Sequence, residues 1–206
     1  DVSHMGIFKA ILDVAELSFE DRRDLSHYIS EKNKHEAKKL LESYDKQPGN
    51  MAVEKISSLL PESPVVSVDV GMNQCWCAQS LHLKGYEGRI HISGGYGTMG
   101  CGLPFAIGSS IAQGKAKSFC VTGDGGFQMN IQELGTIMEQ GTAVKMILLN
   151  NNYLGNVRQW QELFFDHRYS WTPMLNPEYS LIAQGYGIPS RLVIERSELD
   201  NAIREM

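Results

Sequence analysis

The stretch SFCVTGDGGFQMNIQELGTIMEQGTAVKMILLNNN, residues 118–152, decides the fold class. It opens with the apolar run SFCVT and a glycine turn, and a helical pattern follows from Asn130 to Gln140. Gly141 then ends the helix, and the apolar run VKMILL leads into three consecutive asparagines. Two apolar strands joined by a helix of about ten residues predict a βαβ unit, which belongs to a parallel sheet covered on both faces.

Similar strands and helices flank this unit on both sides. The predicted upstream elements are a short amphipathic helix that ends near Leu60, the strands VVSVDV and RIHIS, and a small-residue helix over about 102–113. The predicted downstream elements are a helix over 155–165, a helix after Pro177, the strand RLVI, and a helix opened by Ser197 with Asp200 in a capping box. We therefore expect an α/β fold with a doubly wound, mostly parallel sheet and helices on both faces.

The charge distribution predicts a second, smaller region before this domain. Charged side chains make up 21 of the first 63 residues but only 22 of the remaining 143. We assign residues 1–63 to a charged helical connector from a missing upstream domain, and residues 64–206 to an α/β domain that is truncated at its C-terminus. A solvated linker is the favoured interpretation of the connector, and contact with a partner or another domain is the alternative.

Composition excludes several classes of protein. A net charge of -5 argues against a nucleic-acid binder. No apolar run approaches the roughly 20 residues that span a bilayer, and the first residues lack the basic-then-apolar order of a signal peptide. The cysteines, at positions 75, 77, 101 and 120, lack the paired spacing of a zinc site. We expect a soluble, cytoplasmic protein with no membrane or nucleic-acid partner.

The glycine turn GDGG, residues 123–126, and the asparagine run, residues 150–152, are the segments that point to a function. Asp124 follows one strand of the predicted sheet and Asn150–Asn152 follow the next, so both lie at the edge where such sheets bind ligands. Carboxylate, amide and main-chain oxygens are hard ligands suited to Mg²⁺, and the N–H groups that follow Asp124 suit an anion. By itself, an Asp-Gly turn often has only a structural role in reversing the chain, and an asparagine run often has only the structural role of ending a strand. Together, with 24 residues between Gly125 and Asn150, they predict a metal-diphosphate site.

This spacing is that of the thiamine diphosphate signature, and longer stretches extend the likeness. They are SGGYGTMGCGLPFAIG, GDGGFQMNIQEL, VKMILLNNNYLGNVRQWQELFF and NPEYSLIAQGYGI. From about Pro64 onward the chain resembles the C-terminal, diphosphate-binding domain of acetohydroxyacid (acetolactate) synthase. It is similar to the wider family of thiamine diphosphate enzymes, which includes pyruvate oxidase and benzoylformate decarboxylase. NVRQWQELFF narrows the likeness to acetohydroxyacid synthase.

The resemblance implies a ligand set for Mg²⁺. Asp124 and Asn151 would bind the metal through side-chain oxygens and Tyr153 through its carbonyl oxygen, with the register set by Leu154-Gly155. The residues expected to bind the cofactor are Gly97, Thr98, Met99, Gly123, Gly125, Gly126, Asn151, Tyr153 and Leu154. Relatives often carry serine where this chain has Gly126, so this position lacks one hydroxyl donor.

The resemblance also implies which residues contact the ring end of the cofactor and which residues line the substrate pocket. Gly97 would accept a hydrogen bond from the amino group of the aminopyrimidine, and Met99 would hold the cofactor bent, so that this group reaches the reactive carbon. Trp160 and Asn156 would line the substrate pocket, although a structural aromatic is an equal interpretation of Trp160. Asn156 stands where relatives have methionine, and Met72-Asn73 stands where they have Gln-His.

The activity implied for the complete protein is the decarboxylation of pyruvate and transfer of the two-carbon unit to a second 2-oxoacid. The activating glutamate would come from a pyrimidine-binding domain of another subunit, so we expect a homodimer or larger assembly, with a regulatory subunit as a further partner and FAD as a further cofactor. No catalytic residue is expected in this chain, which should be inactive alone. The alternatives are another thiamine diphosphate-dependent decarboxylase or oxidase, or a non-catalytic binding module.

Several further residues are interpreted as structural. His82, His91 and His167 show no ligand spacing, and Glu133 is expected to pair with a helical neighbour. Cys75 and Cys77 have strand-like spacing and, like Cys120, are expected to contribute to packing.

Overall fold

A computed structural model describes residues 48–85 and 87–206, so the helical part of the connector expected before Ser43 lies outside the described residues. Residues 48–206 form one compact unit. The helices in this unit are α1 Pro48–Leu59, α2 Met72–Ser80, α3 Gly102–Ala112, α4 Asp124–Met129, α5 Leu134–Gln140, α6 Gly155–Phe164, α7 Tyr179–Gly185 and α8 Leu199–Glu205.

The sheet has four parallel strands in the order β2-β1-β3-β4. They are β1 Val65–Val68, β2 Arg89–Ile92, β3 Ser118–Gly123 and β4 Val144–Leu149. All four coincide with apolar runs from which strands were predicted, so the α/β fold with a parallel sheet is confirmed. The strand order reverses between β1 and β3, because β2 lies on one side of β1 and β3 on the other. Ligands of open parallel sheets bind outside the carboxyl ends of the strands at this reversal.

Alternating side chains place an apolar layer on each face of the sheet. On one face Phe119 and Val121 of β3 pack with α1 and α2, in a cluster completed by Val53, Ile56, Leu60, Val66, Val68, Cys77 and Leu81. On the other face Cys120 packs with α3, α4 and α5, in a cluster completed by Leu103, Ala106, Ile107, Phe127 and Leu134. Helices therefore flank both faces, as expected for buried parallel strands.

Helix α1 belongs to the compact unit. It begins at Pro48, a residue whose fixed φ suits the first helical turn. A Cβ atom added at Gly49 would lie 2.3 Å from the Trp76 ring, which shows how closely α1 and α2 pack. The unit therefore includes part of the segment assigned to the connector, and the division of the chain at residue 63 stays a prediction.

Three local predictions are wrong. RLVI, residues 191–194, is not a strand: Leu192 and Ile194 are 61% and 79% exposed, and no neighbouring strand offers this segment hydrogen bonds within the described residues. Cys75 and Cys77 lie on helix α2, not on a strand. The Ser197 capping box does not form, because α8 begins at Leu199 and the Asp200 carboxylate pairs with Lys55 Nζ at 2.7 Å.

The chain after β3 also differs in detail from the prediction. Helix α4 begins at Asp124, directly after the strand, whereas we expected the helix to begin at Asn130. A short 3-10 turn, Ile131–Glu133, then leads into α5. Helix α5 ends as predicted at Gly141, whose φ of 59° is readily adopted only by glycine. None of the helices in the described part of the chain has the length and apolar character needed to cross a bilayer.

Candidate functional site

Parallel pairing brings the glycine turn and the asparagine run together. Gly123 at the end of β3 is paired with Leu149 at the end of β4, so Asp124 and Asn150 leave the sheet side by side. Asp124 is buried, with 2% of its surface exposed, while Asn150 is exposed. The predicted juxtaposition at the carboxyl edge of the sheet is therefore present in the structure.

Three side-chain oxygens meet at one point on this edge. Asn176 Nδ2 lies 2.6 Å from Asp124 Oδ2, 2.9 Å from Asn150 Oδ1 and 3.0 Å from Asn152 Oδ1. Asn152 has a φ of 58°, a left-handed conformation that asparagine tolerates better than most residues. A carboxylate and two amide oxygens converge here on a single hydrogen-bond donor. We refer to these three oxygens as the oxygen cluster.

A second set of hydrogen bonds orients Asn176. Gln128 Nε2 donates to Asn176 Oδ1 at 2.8 Å and to the Tyr179 hydroxyl at 2.9 Å. The Tyr179 hydroxyl donates to the main-chain oxygen of Asp124 at 3.3 Å. Burial raises the pKa of Tyr179, and the nearby Asp124 carboxylate acts in the same direction, so the hydroxyl stays a neutral donor. Sequence reasoning missed Gln128, Asn176 and Tyr179, although Asn176 lies in the quoted stretch NPEYSLIAQGYGI.

Asn151 and Tyr153, both predicted to be metal ligands, lie beside the oxygen cluster. Asn151 Oδ1 accepts a hydrogen bond from the Tyr153 main-chain N–H at 2.9 Å, just as Asn150 Oδ1 accepts one from the Asn152 main-chain N–H at 3.1 Å, but only Asn150 Oδ1 also contacts Asn176. Tyr153 forms an antiparallel bridge with Pro173, and its ring lies under the Arg158 guanidinium, 4.5 Å from the ring centroid. The structure thus brings the side-chain oxygens of Asn150 and Asn152 together with that of Asp124. The assignment of Asn151 and Tyr153 as metal ligands stays a prediction.

The first turn of α4 offers main-chain N–H groups beside the oxygen cluster. Gly125 and Gly126 lie in this turn, where N–H groups have no acceptor within the helix, and no side chain caps it. A Cβ atom at Gly125 would lie 3.0 Å from Leu154, 3.3 Å from Met174 and 3.5 Å from Met99. The predicted cofactor residues Met99 and Leu154 therefore meet at Gly125, together with Met174, which sequence reasoning missed.

Asp69 is a buried carboxylate that sequence reasoning treated only as part of a strand. It follows β1 with 1% of its surface exposed. Its Oδ1 accepts hydrogen bonds from the main-chain N–H groups of Val70 at 2.7 Å and Gly100 at 2.8 Å, and its Oδ2 accepts one from the Thr122 hydroxyl at 3.0 Å. An acidic residue at the carboxyl end of an apolar strand is the signal that would have identified it.

Asp69 lies between the two glycine motifs, the GTMG segment (residues 97–100) and the GDGG turn (residues 123–126). Its bond to Gly100 fixes the end of the GTMG segment, and Asn130 Nδ2 donates to the Gly100 carbonyl at 2.8 Å. A Cβ atom at Gly126 would lie 2.8 Å from Asp69 Oδ2. The backbone at Gly126 is therefore packed closely against the Asp69 carboxylate, which leaves little room for a side chain at this position.

The remaining part of the glycine motif is an open turn. Gly97 has a φ of 62°, its N–H donates to the Ser93 carbonyl at 3.1 Å, and nothing lies within 4 Å of the Cβ position. Thr98 N–H donates to Ser93 Oγ at 3.0 Å. Both residues are exposed, so the backbone beside Met99 is accessible to a ligand. Their roles in cofactor binding stay predictions.

The residues at the carboxyl edge fit a divalent cation that shares a diphosphate. The oxygen cluster supplies the hard ligands that Mg²⁺ prefers, and the uncapped first turn of α4 supplies N–H groups for an anion. Within the described residues no group of three or more His, Cys, Asp or Glu side chains forms a different kind of metal site. The donor set therefore favours a hard cation over zinc or a redox metal.

Comparison with known proteins places this geometry in a family. The family described as "Thiamine pyrophosphate enzyme, C-terminal TPP binding domain" matches residues 69–206. The chain belongs to this family. The match begins at Asp69 and covers the oxygen cluster, the first turn of α4 and the GTMG segment.

Individual relatives within the thiamine pyrophosphate enzymes narrow the comparison. The chain is 40% identical over 157 residues to the acetolactate synthase isozyme 2 large subunit of Escherichia coli K12. These aligned residues cover 76% of the chain and 28% of the relative. The chain is 39% identical over 196 residues to the acetolactate synthase large subunit of Haemophilus influenzae, covering 92% of the chain and 34% of the relative. The chain thus spans about a third or less of the length of these curated relatives.

The predicted substrate-pocket residues of this thiamine pyrophosphate-binding domain lie on α6. Trp160 is 58% exposed and makes an edge-to-face contact with Phe164, with ring centroids 5.5 Å apart. Asn156 Oδ1 lies 3.8 Å from Cys75 Sγ on α2, and Met72 lies beside Gly155. Asn73 is buried and donates to the Asp69 carbonyl at 2.7 Å. Met72, Asn73 and Asn156 therefore lie close together where α2 and α6 meet the sheet edge.

The residues interpreted as structural have local partners. Glu133 Oε2 accepts a hydrogen bond from Thr136 at 2.7 Å, as expected of a helical glutamate. His91 lies 3.4 Å from Ser109 Oγ, and His167 lies 3.2 Å from the Tyr169 hydroxyl. Cys77 and Cys120 are buried in the two apolar layers, which confirms their packing role, whereas Cys75 is exposed.

Thiol alkylation should separate Cys75 from the other three cysteines. Burial raises the pKa of all four thiols, to about 12 at Cys77, but only Cys75 is exposed, so the other three thiols are shielded from the reagent in the folded chain. We expect iodoacetamide to modify Cys75 first, and all four cysteines after denaturation, as measured by peptide mass spectrometry. Fast modification of Cys120 in the folded chain would contradict the packing described above.

Proposed function

We propose that this domain binds the Mg²⁺-diphosphate end of thiamine diphosphate in an acetolactate synthase-like enzyme. The observation that carries the proposal is the oxygen cluster of Asp124, Asn150 and Asn152, next to the uncapped N–H groups of α4. The charge of Asp124 attracts the cation, and the cation together with the N–H groups neutralises the diphosphate.

In the complete enzyme, the proposed reaction is decarboxylation of pyruvate and transfer of the two-carbon unit to a second 2-oxoacid. When bound, thiamine diphosphate supplies the electron sink for decarboxylation. The protein's part is to orient that cofactor: Met99 and Leu154 form an apolar wall at Gly125, and Asp69 fixes the GTMG segment through Gly100. The similarity to acetolactate synthase large subunits supports this reaction over other thiamine diphosphate chemistry.

A partner domain is part of the same proposal. Val157, Trp160 and Phe164 follow one another along one side of α6 and are 48%, 58% and 49% exposed. Exposed apolar stripes of this kind are typical of surfaces that another domain covers. We propose that a pyrimidine-binding domain of a second subunit covers this stripe and supplies the glutamate that protonates the aminopyrimidine, so that the chain alone is inactive.

Calorimetry tests the binding function directly. Thiamine diphosphate is expected to bind the chain in the presence of Mg²⁺ and to release no measurable heat after chelation of the metal, because the diphosphate is then repelled by Asp124. Binding that is equally tight without a divalent cation would contradict the proposed site. In the complete protein, an assay for acetolactate against acetaldehyde and acetyl phosphate distinguishes a synthase from a decarboxylase or an oxidase.

Substitutions in the asparagine run test which amide oxygens bind the metal. Asn150→Ala is expected to weaken Mg²⁺ binding by at least about tenfold, because it removes one oxygen of the cluster. Asn151→Ala, at a position whose amide oxygen accepts from Tyr153 N–H and is not one of the three oxygens of the cluster, is expected to have a smaller effect. The measurement is competition with Mn²⁺ followed by electron paramagnetic resonance. The opposite order would favour the ligand set implied by the resemblance to acetohydroxyacid synthase.

A further inference from the structure

Helix α6 is not oriented by core packing. None of its ten residues is buried, and it contributes no side chain to either apolar layer of the sheet. A helix in a globular domain usually takes its orientation from the apolar side that it buries. The orientation of α6, and with it that of the predicted pocket residues Asn156 and Trp160, therefore depends on contacts of another kind.

Arg158 joins α6 to the segments that precede and follow it in the chain. Its guanidinium lies over the Tyr153 ring, 4.5 Å from the centroid, and over the Tyr169 ring, 4.0 Å from the centroid. Tyr153 follows the asparagine run, and Tyr169 belongs to residues 165–171, which we call the return segment. No carboxylate in the described ranges forms an ion pair with Arg158, so the two rings are the contacts that fix its side chain.

Gln161, one turn further along α6, binds the return segment through two hydrogen bonds. Its Nε2 donates to the Ser170 carbonyl at 3.0 Å, and its Oε1 accepts from the Ser170 N–H at 3.1 Å. One side-chain amide thus satisfies both main-chain groups of Ser170, as a neighbouring strand would. The chain is anchored again directly afterwards, where the Thr172 carbonyl accepts from the Leu154 N–H at 2.9 Å.

The contacts of Arg158 and Gln161 set the rotation of α6 about its own axis. The two residues are three positions apart and therefore lie on one side of the helix. Val157, Trp160 and Phe164 lie on a second side, one position earlier, and an α-helix turns by about 100° per residue. Holding the first side against the return segment therefore determines the direction in which the Trp160 side faces.

We propose that Arg158 and Gln161 are positioning residues for the substrate pocket, and that they orient α6 so that Asn156 and Trp160 face the 2-oxoacid. The inference rests on the proposed function of the domain and adds to it two residues that determine substrate preference. Arg158 acts through the two tyrosine rings, and Gln161 acts through Ser170. Loss of either contact frees α6 without disturbing the sheet, because the helix contributes nothing to the apolar layers.

Hydrogen exchange in the full 206-residue chain tests the positioning role without substrate or cofactor. Arg158→Met removes the planar cation, and Gln161→Met removes both hydrogen bonds to Ser170. Each variant is expected to speed amide exchange in α6 and the return segment by about tenfold and to leave β3 and β4 unchanged, because these contacts stabilise the structure locally. Mass spectrometry of peptides measures the exchange.

Two further variants sharpen this measurement. Gln159→Met is the matched control, because Gln159 lies on the same helix and its side chain makes no hydrogen bond to another described residue. It should exchange like the wild type. Arg158→Lys keeps the charge but not the planar group that stacks on both rings, so it should exchange as fast as Arg158→Met.

The complete enzyme tests the effect on substrate preference. Pyruvate and 2-oxobutanoate, which differ by one methylene group, compete as acceptors of the two-carbon unit. A pocket discriminates such a pair by about tenfold or more, so a misplaced pocket wall should change the product ratio by at least about threefold in Arg158→Met and Gln161→Met. Gln159→Met should keep the wild-type ratio. A general loss of stability would lower total activity without moving this ratio.

The two measurements separate this inference from the proposed function. Faster exchange confined to α6 and the return segment, together with a changed product ratio, supports the inference. Unchanged exchange overturns it, and so does faster exchange throughout the domain. Faster local exchange with an unchanged ratio also overturns it, by limiting both residues to support of the helix. If the complete wild-type enzyme forms no acetolactate, the proposed function fails and the pocket role fails with it, whatever the exchange shows about α6.

Discussion

Replacement of Asp124 by alanine is expected to abolish Mg²⁺-dependent binding of thiamine diphosphate. Among the three oxygens of the cluster only the Asp124 carboxylate carries a formal charge, and it is buried at the end of β3. Loss of an outer-shell partner of a metal ligand already costs about 10–100-fold in affinity, so loss of the charged ligand should cost at least about a hundredfold. Titration calorimetry with and without Mg²⁺ measures the effect.

A charge-matched control separates this effect from a general loss of negative charge. Asp200 lies on α8 and forms an exposed ion pair with Lys55, so Asp200→Ala should leave both folding and cofactor affinity nearly unchanged. The site assignment would be refuted if Asp124→Ala bound the cofactor as tightly as this control. Asp124→Asn keeps the shape and one oxygen but not the charge, and should lose nearly as much metal binding as Asp124→Ala if charge is the main contribution.

Replacement of Gly126 by serine is expected to destabilise the domain by about 2 kcal/mol, within the range for overpacked interiors. The added Cβ atom would lie 2.8 Å from Asp69 Oδ2, and three hydrogen bonds hold this carboxylate in place. Either α4 or Asp69 must move, and movement of Asp69 loosens Gly100 and the GTMG segment. The substitution is therefore expected to reduce cofactor affinity, although the serine hydroxyl would otherwise add a donor to the diphosphate. Urea denaturation and calorimetry measure the two effects.

A double-mutant cycle identifies Asp69 as the cause. If the steric conflict is with the carboxylate, Gly126→Ser should cost less stability in an Asp69→Ala background, with a coupling energy of at least about 0.5 kcal/mol. Gly108→Ala is the control, because Gly108 lies on an exposed side of α3 with nothing within 4 Å of the Cβ position, and alanine should stabilise the helix slightly. Additive effects of the two substitutions at 126 and 69 would exclude Asp69 as the obstacle.

Apolar runs predicted the strands correctly wherever a strand has a neighbour in the sheet. VVSV, RIHI, SFCVTG and VKMILL all pair in parallel, and side chains of every one of them except the edge strand RIHI contribute to the two apolar layers. RLVI has the same composition but no pairing partner in the described part of the chain, so its side chains stay exposed. A β-branched run is a strand only where another strand completes its hydrogen bonds.

The sequence alone determined the α/β class, the four strands of the sheet and the proximity of Asp124 to the asparagine run. Periodicity and glycine turns are local properties of the chain, and the spacing of Asp124 and the asparagine run reflects one βα unit. The tertiary structure decided which side chains meet at the site. Asn176 reaches Asp124 across 52 positions and Asp69 reaches Gly100 across 31, and no local pattern encodes such contacts. Parallel pairing brings distant carboxyl ends to one edge, and the rotation of each side chain there depends on its neighbours in space, which is why the structure gathers Asn150 and Asn152 around Asn176.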